Sequence, residues 1–247
     1  MNIKQYLDST YLKTAAQAGL SENENKEVVT AAIQEAIEND FKLIMIRPEF
    51  VKLAKEMIQN ANSKVTVGTV IDFPKGESSV EEKISEANRA IQDNVDDLDF
   101  VVDYEAFKRG EIDYVKNQVL QCTKLGLSHD KIVKWIIEVA ALTNEEIVRL
   151  SALIKNVVLA NFKENVYENV FVKSSTGFYK TEPGMPNGAT VPTIKLMIEN
   201  SCPLPVKAAG GVRTYEEAVE MIKLGVKRIG TSSARAIANG EVSESDY

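Results

Sequence analysis

Histidine is nearly missing from this chain of 247 residues: His129 is the only one. That excludes a metal site assembled from several imidazoles. It also leaves no histidine-based nucleophilic triad, because His129 lies in the polar stretch GLSHDK and reads as an exposed loop residue ahead of a strand, on the side of the molecule away from chemistry. Cysteine is equally sparse. Cys122 and Cys202 show no CxxC spacing, so neither a disulfide framework nor a thiolate metal site is expected. No apolar run approaches the roughly 18 residues of a membrane span. The opening MNIKQYLDST lacks the apolar centre of a signal peptide, so a cytoplasmic protein without a membrane partner is expected. With 29 Lys and Arg against 36 Asp and Glu, a net charge of −7, no basic face is available for nucleic acid. No GxGxxG follows the first strand, which removes support for a dinucleotide-binding open sheet. Chemistry here must run on lysines, carboxylates and hydroxyls.

What is present is a regular alternation. Strands are predicted at 5–8, 41–46, 64–71, 98–102, 132–138, 170–173, 205–208 and 227–230. Helical patterns separate them: a capping box at Ser21 and Glu24 opens one, Pro48 starts the next, and others cover 78–91, 111–125, 143–158, 190–199 and 214–224. Eight β/α units without a low-complexity break mean a parallel sheet with helices outside, and about 250 residues is the usual size of a closed (β/α)8 barrel. A single TIM-barrel domain over residues 1–247 is therefore expected, with 240–247 (GEVSESDY) as a polar, mobile tail. The stretch 160–169, ANFKENVYEN, is a long polar connection before a strand, on the face of a barrel that serves stability.

Two strand ends stand out. VFVKSSTGF (170–178) and VKAAGGVR (206–213) each deliver a lysine, Lys173 and Lys207, and then open into small residues and glycines. A lone lysine at a strand end reads most simply as snorkelling or salt-bridged; two in successive strands argue for a site. Asp99 sits within the apolar run 98–102, where a carboxylate needs a partner. Lys134, Ile136 and Glu138 share one face by the period of two and are expected to be mainly structural charges. In a closed barrel Asp99, Lys173 and Lys207 converge on one mouth. Two ammonium groups about 5 Å apart, at an effective dielectric near 20, repel by roughly 3 kcal/mol, enough to lower one pKa by about 2 units before burial adds more. That would give a usable amine nucleophile.

The two lysine motifs resemble those of the deoxyribose-phosphate aldolase family, class I aldolases on a TIM barrel, and DSTYLK, VIDFPKGES, DLDFVV, VKWIIE and IGTSSA extend the likeness over nearly the whole chain. The resemblance implies reversible cleavage of 2-deoxy-D-ribose 5-phosphate, the small-molecule partner, to D-glyceraldehyde 3-phosphate and acetaldehyde, with no metal or organic cofactor and in a homodimer. It assigns Lys173 to the Schiff base, Lys207 to its tuning, Asp99 to proton transfer through water and Tyr247 to protonation of the enamine. Asp8 and Thr10 would line the site. Gly210, Gly211, Gly230, Ser232 and Ser233 would hold the phosphate, joined by Thr176 and Gly177; Arg213 adds charge there or pairs with an acid. Ser9 and Asp72 depart from the family pattern, both near the expected mouth. Competing expectations are a class I or transaldolase-like enzyme for another sugar phosphate, and a binding protein that kept the phosphate loops without catalysis.

Overall fold

The computed structural model describes residues 1–241. Eight parallel strands close into a barrel in chain order: β1 (Leu7–Thr10), β2 (Leu43–Ile46), β3 (Thr66–Ile71), β4 (Asp97–Val101), β5 (Ile132–Ile136), β6 (Val170–Lys173), β7 (Val206–Ala209) and β8 (Arg228–Thr231). The last strand pairs back onto the first, Gly230 beside Asp8. Around it run α1 (Ala15–Ala18), α2 (Glu22–Asn39), α3 (Val51–Asn60), α4 (Val80–Gln92), α5 (Tyr104–Lys108), α6 (Ile112–Ser128), α7 (Asn144–Asn161), α8 (Val191–Ser201), α9 (Tyr215–Leu224) and α10 (Ala234–Asn239).

Four of the longer helices begin with the same local device. Ser21, Ser79, Thr143 and Thr214 each accept the backbone N–H three residues on, while Glu24, Glu82, Glu146 and Glu217 reach back to the cap. Two orphan amides are satisfied at once and a carboxylate is placed at the positive end of the helix. The strands are buried on both faces, so they read as apolar runs interrupted only by the few polar and charged residues that they also bury. Their outer face packs under the helices: Phe100 and Trp135 stack with centroids 5.2 Å apart, and the indole N–H donates to Thr123 of α6 at 3.0 Å. No helix among the described residues is long and apolar enough to cross a membrane.

Several boundaries differ from expectation. β1 begins at Leu7 rather than at residue 5, because Ile3–Tyr6 forms a 3-10 turn. β5 ends at Ile136, and Glu138 lies beyond it in the left-handed region with φ 56°, so the alternation of faces does not reach it. The extra helix α5, capped by Asp103, precedes α6. α7 runs on to Asn161, and the polar stretch becomes a 3-10 turn, Glu164–Asn169, feeding the amino end of β6. Ser9 alternates with Asp8 and Thr10 and so faces the helices, not the mouth. Asp72, with φ 53°, organises the turn after β3: its carboxylate accepts from Ser78 N and Oγ at 2.9 and 2.8 Å and pairs with the buried Lys83 of α4. Lys83 also donates to the carbonyls of Gly76 and Val101 at 2.8 and 2.9 Å. His129 is exposed after α6, as the sequence implied; Cys122 is buried and Cys202 exposed.

Candidate active site

Parallel register decides which side chains meet inside the barrel. Asp99 pairs across to Lys134, Lys173 to Lys207, and Lys207 to Arg228. Residues in register share a face, so β4 to β8 and β1 fill their side of the interior with Asp97, Asp99, Lys134, Lys173, Lys207, Arg228 and Asp8, all buried. They are wired together. Lys134 Nζ donates to Asp97 Oδ2 at 2.6 Å and to Asp99 Oδ1 at 2.8 Å. Asp99 Oδ2 accepts from Lys207 at 3.0 Å and from Lys173 at 2.8 Å. Lys207 also meets Asp8 Oδ2 at 2.6 Å, a charge contact outside hydrogen-bond geometry. Arg228 Nε donates to Asp8 Oδ1 at 2.7 Å and its Nη2 reaches Asp97 Oδ2 at 3.3 Å, which closes the circuit.

Lys207 reaches Asp8 across β8 because Gly230 stands between them. A Cβ there would lie 3.0 Å from Lys207 Cε. Gly230, expected from sequence to serve an anion, therefore also gives Lys207 its path.

The electrostatics follow from this arrangement. Burial is the largest cause lowering the Lys173 pKa; Asp99 opposes it, Lys207 and Lys134 add to it, and the result is about 8. Burial, rather than the repulsion from Lys207 expected from the sequence, takes the leading part. Burial pushes Asp99 and Asp8 upward, but the surrounding cations outweigh it: Lys134, Lys173 and Lys207 hold Asp99 well below the usual carboxylate value, and Arg228, Lys207 and Lys134 lower Asp8. For Lys134 and Arg228 burial is likewise overcome, by Asp97 and Asp99 and by Asp8 and Asp97 respectively, so both are raised.

Above the charged layer, the loop after Lys173 is anchored by Glu138. Ser175 Oγ donates to Glu138 Oε1 at 2.8 Å, and Thr176 donates to Oε2 from its backbone N–H at 3.2 Å and from its hydroxyl. Burial raises the Glu138 pKa against these bonds. Ser175 Oγ also lies 2.7 Å from Asn187 O, so its single proton is shared between the two acceptors, and Gly177 N donates to Ser175 Oγ at 2.9 Å. The result is a small cleft lined by Gly177, Asn187, Gly210, Gly211, Val212, Arg213, Gly230, Thr231 and Ser232. Gly177, Gly210 and Gly211 adopt positive φ, which glycine permits without strain.

The structure thus brings together Gly177, Gly210, Gly211, Gly230 and Ser232 as the sequence implied. It moves others. Thr176 turns to Glu138 rather than to the cleft, Ser233 is buried and not in its lining, and Asp8 lies beneath the mouth as a partner of Lys207 rather than lining it. Thr10 ends β1 with its hydroxyl on its own strand, donating to Asp8 O at 2.9 Å. Tyr247 lies outside the described residues. Sequence reasoning missed Asn187, Asp97 and Arg228; only for Asp97, a second carboxylate two residues before Asp99 on the same face, was there a signal.

The β2–β3 side of the interior is apolar. Leu12, Leu43, Met45 and Val70 form a separate buried cluster with Phe73 and Phe178 against it, the two rings edge-to-face at 5.0 Å and Arg47 5.0 Å over Phe73. A Cβ at Gly68 would come within 2.6 Å of Met45 Cε, so glycine is what lets these side chains fill that wall. A roomier groove of about 740 Å³, lined by residues such as Phe107, Leu120, Leu153 and Val157, lies on the outside of the barrel between α6 and α7. It holds no comparable set of reactive groups, and chemistry places the site at the mouth.

A closed parallel barrel with a buried lysine of lowered pKa beside a glycine-rich cleft defines a (β/α)8 enzyme working through amines and carboxylates. The profile described as DeoC/LacD family aldolase matches residues 9–240, and the chain belongs to that family. It is similar to the deoxyribose-phosphate aldolase of Thermococcus kodakarensis, 40% identical over 243 residues and 98% of each chain. The same enzyme of Streptococcus gordonii is 36% identical over 248 residues and the full length of both. Among solved structures, the aldolase QR15 superposes with a TM-score of 0.78 at 30% identity, covering 97% of this chain and 95% of its own.

Proposed function

We propose that the chain cleaves 2-deoxy-D-ribose 5-phosphate reversibly to D-glyceraldehyde 3-phosphate and acetaldehyde through an imine on Lys173. The observation that carries this reading is Lys173 itself: a buried amine at the end of β6, with a pKa near 8, beside an ionised carboxylate. Near neutral pH roughly one molecule in ten then presents a free amine, against a few in ten thousand for an ordinary lysine. The amine adds to the sugar's C1 aldehyde and water leaves. The protonated imine draws in the electrons of the C2–C3 bond as the 3-hydroxyl loses its proton, so that D-glyceraldehyde 3-phosphate departs and an enamine remains. Protonation at C2 and hydrolysis release acetaldehyde.

In this reading Asp99 moves protons at the 3-hydroxyl through water, and Lys207 keeps Lys173 from holding its proton. Phosphate sits in the cleft of Gly177, Gly210, Gly211 and Ser232, where free backbone approach and Arg213 suit an anion. The apolar wall of Leu12, Met45, Val70 and Phe73 suits a two-carbon donor with no hydroxyl next to its carbonyl. A single domain over the whole chain, acting in the cytoplasm as a homodimer, completes the reading; location and assembly rest on likeness to the family alone. Incubation with acetaldehyde and borohydride should leave a reduced adduct on Lys173, located by peptide mass spectrometry. An adduct on Lys207 instead would reverse the two roles, and no adduct during turnover would defeat the imine mechanism.

A further inference from the structure

The ion pairs inside the barrel form a closed ring of alternating sign. Lys134 leads to Asp99, Asp99 to Lys207, Lys207 to Asp8, Asp8 to Arg228, Arg228 to Asp97, and Asp97 back to Lys134. Three cations and three anions make the ring neutral as a whole. Lys173 is attached to it at one point, through Asp99, and among the described residues of this layer it is the cation left without an anion of its own.

We infer that this neutral ring selects Lys173 as the group that gives up its proton, and that Asp97 and Arg228, on the ring's far side from Lys173, are positioning residues for the reaction. The physical reason is the cost of net charge in a buried layer. With every group ionised the layer carries one excess positive charge; release of a proton from Lys173 removes it and leaves every remaining charge paired. Release from Lys134 or Lys207 would also remove it, but would strip two carboxylates of a shared partner. The groups facing Lys173 are Asp99 from β4, Lys134 from β5, Glu138 beyond β5 and Lys207 from β7, with Asp8 of β1 and Arg228 of β8 behind Lys207. Asp97 and Arg228 do not line the cleft and make no contact with Lys173; their effect is carried by charge.

This inference deepens the proposed role of Lys173, and its test reads the amine directly, whether or not an imine forms. The folded protein is labelled with trace acetic anhydride across pH, and acetylation of Lys173 is followed by peptide mass spectrometry to give its titration midpoint. Asp97→Asn leaves the ring with net charge +1, disfavours the ammonium and should lower the midpoint by about one unit, raising labelling at pH 7 about five-fold. Arg228→Met leaves the ring at −1 and should raise the midpoint by about one unit, cutting that labelling about ten-fold. The Asp97→Asn/Arg228→Met double variant restores neutrality and should return the midpoint to the wild-type value. Unfolded molecules would label with the ordinary lysine midpoint of about 10.4, so each midpoint is read under conditions where circular dichroism shows the variant folded. Equal-sign shifts, an unmoved midpoint in the single variants (as when Lys134 gives up a proton in place of Lys173), or a double variant that fails to cancel would each overturn the inference. Failure of the Lys173 adduct with intact opposite shifts would instead refute the imine reading and leave the ring's role standing.

Discussion

Lys207→Leu separates the two causes that lower the Lys173 pKa. In the wild type both lysines donate to the same oxygen of Asp99, at 2.8 and 3.0 Å, which sets the two ammonium groups about 5 Å apart. At an effective dielectric near 20 their repulsion is roughly 3 kcal/mol, equivalent to about 2 pH units. Leucine removes that repulsion and leaves Asp8 and Asp99 one cation short, so the Lys173 midpoint should climb from about 8 to about 10. Burial stays but is largely offset by Asp99, which keeps the midpoint just under the ordinary lysine value of about 10.4. The free amine at pH 7 falls from roughly one in ten to one in a thousand, so kcat/KM for 2-deoxyribose 5-phosphate should drop about 100-fold at pH 7 and largely recover near pH 10. The assay is release of D-glyceraldehyde 3-phosphate across that range, with circular dichroism confirming the fold. A loss of equal size at every pH would mean that Lys207 acts by something other than its charge. An unchanged profile would mean that burial alone sets Lys173.

Ser232→Asp puts a fixed negative charge on the rim of the glycine-rich cleft and should raise KM for the phosphorylated sugar at least ten-fold while changing unphosphorylated deoxyribose about three-fold or less; equal losses on both substrates would place the phosphate elsewhere. Lys83→Met leaves the carboxylate of Asp72 and the carbonyls of Gly76 and Val101 without their shared donor, and should destabilise the fold by about 3–5 kcal/mol. For a chain of this size that lowers the thermal midpoint by on the order of ten degrees, and an unmoved midpoint in calorimetry would refute the structural role given to Lys83.

Most of the barrel was legible because its signals are local. Apolar runs buried on both faces, capping boxes such as Ser21 with Glu24, and glycines after lysine-bearing strands each depend on a few adjacent residues and mark strand, helix start and loop without reference to the rest of the chain. Boundaries were less legible where two local preferences compete: Gln5 and Tyr6 read as the start of the first strand but belong to the 3-10 turn Ile3–Tyr6, and Glu138 continues the alternation of β5 in sequence but leaves the strand with positive φ to hold Ser175 and Thr176.

The sequence by itself determined that this is an alternating β/α chain with lysines 173 and 207 at successive strand ends and a carboxylate on the fourth strand, and it excluded imidazole chemistry by having almost no histidine. Only the tertiary structure decided how those charges divide the work. Register across β4 to β8 and β1 is a property of the closed sheet, not of any one segment, and it is register that puts Asp97 and Arg228 into the same layer as Asp99 and Lys207. It likewise sets Gly230 under the Lys207 side chain, and it buries Lys173 deeply enough that desolvation outweighs the neighbouring ammonium in lowering its pKa. Charge pairing of this kind depends on distances between residues up to 220 positions apart, and no local pattern encodes them.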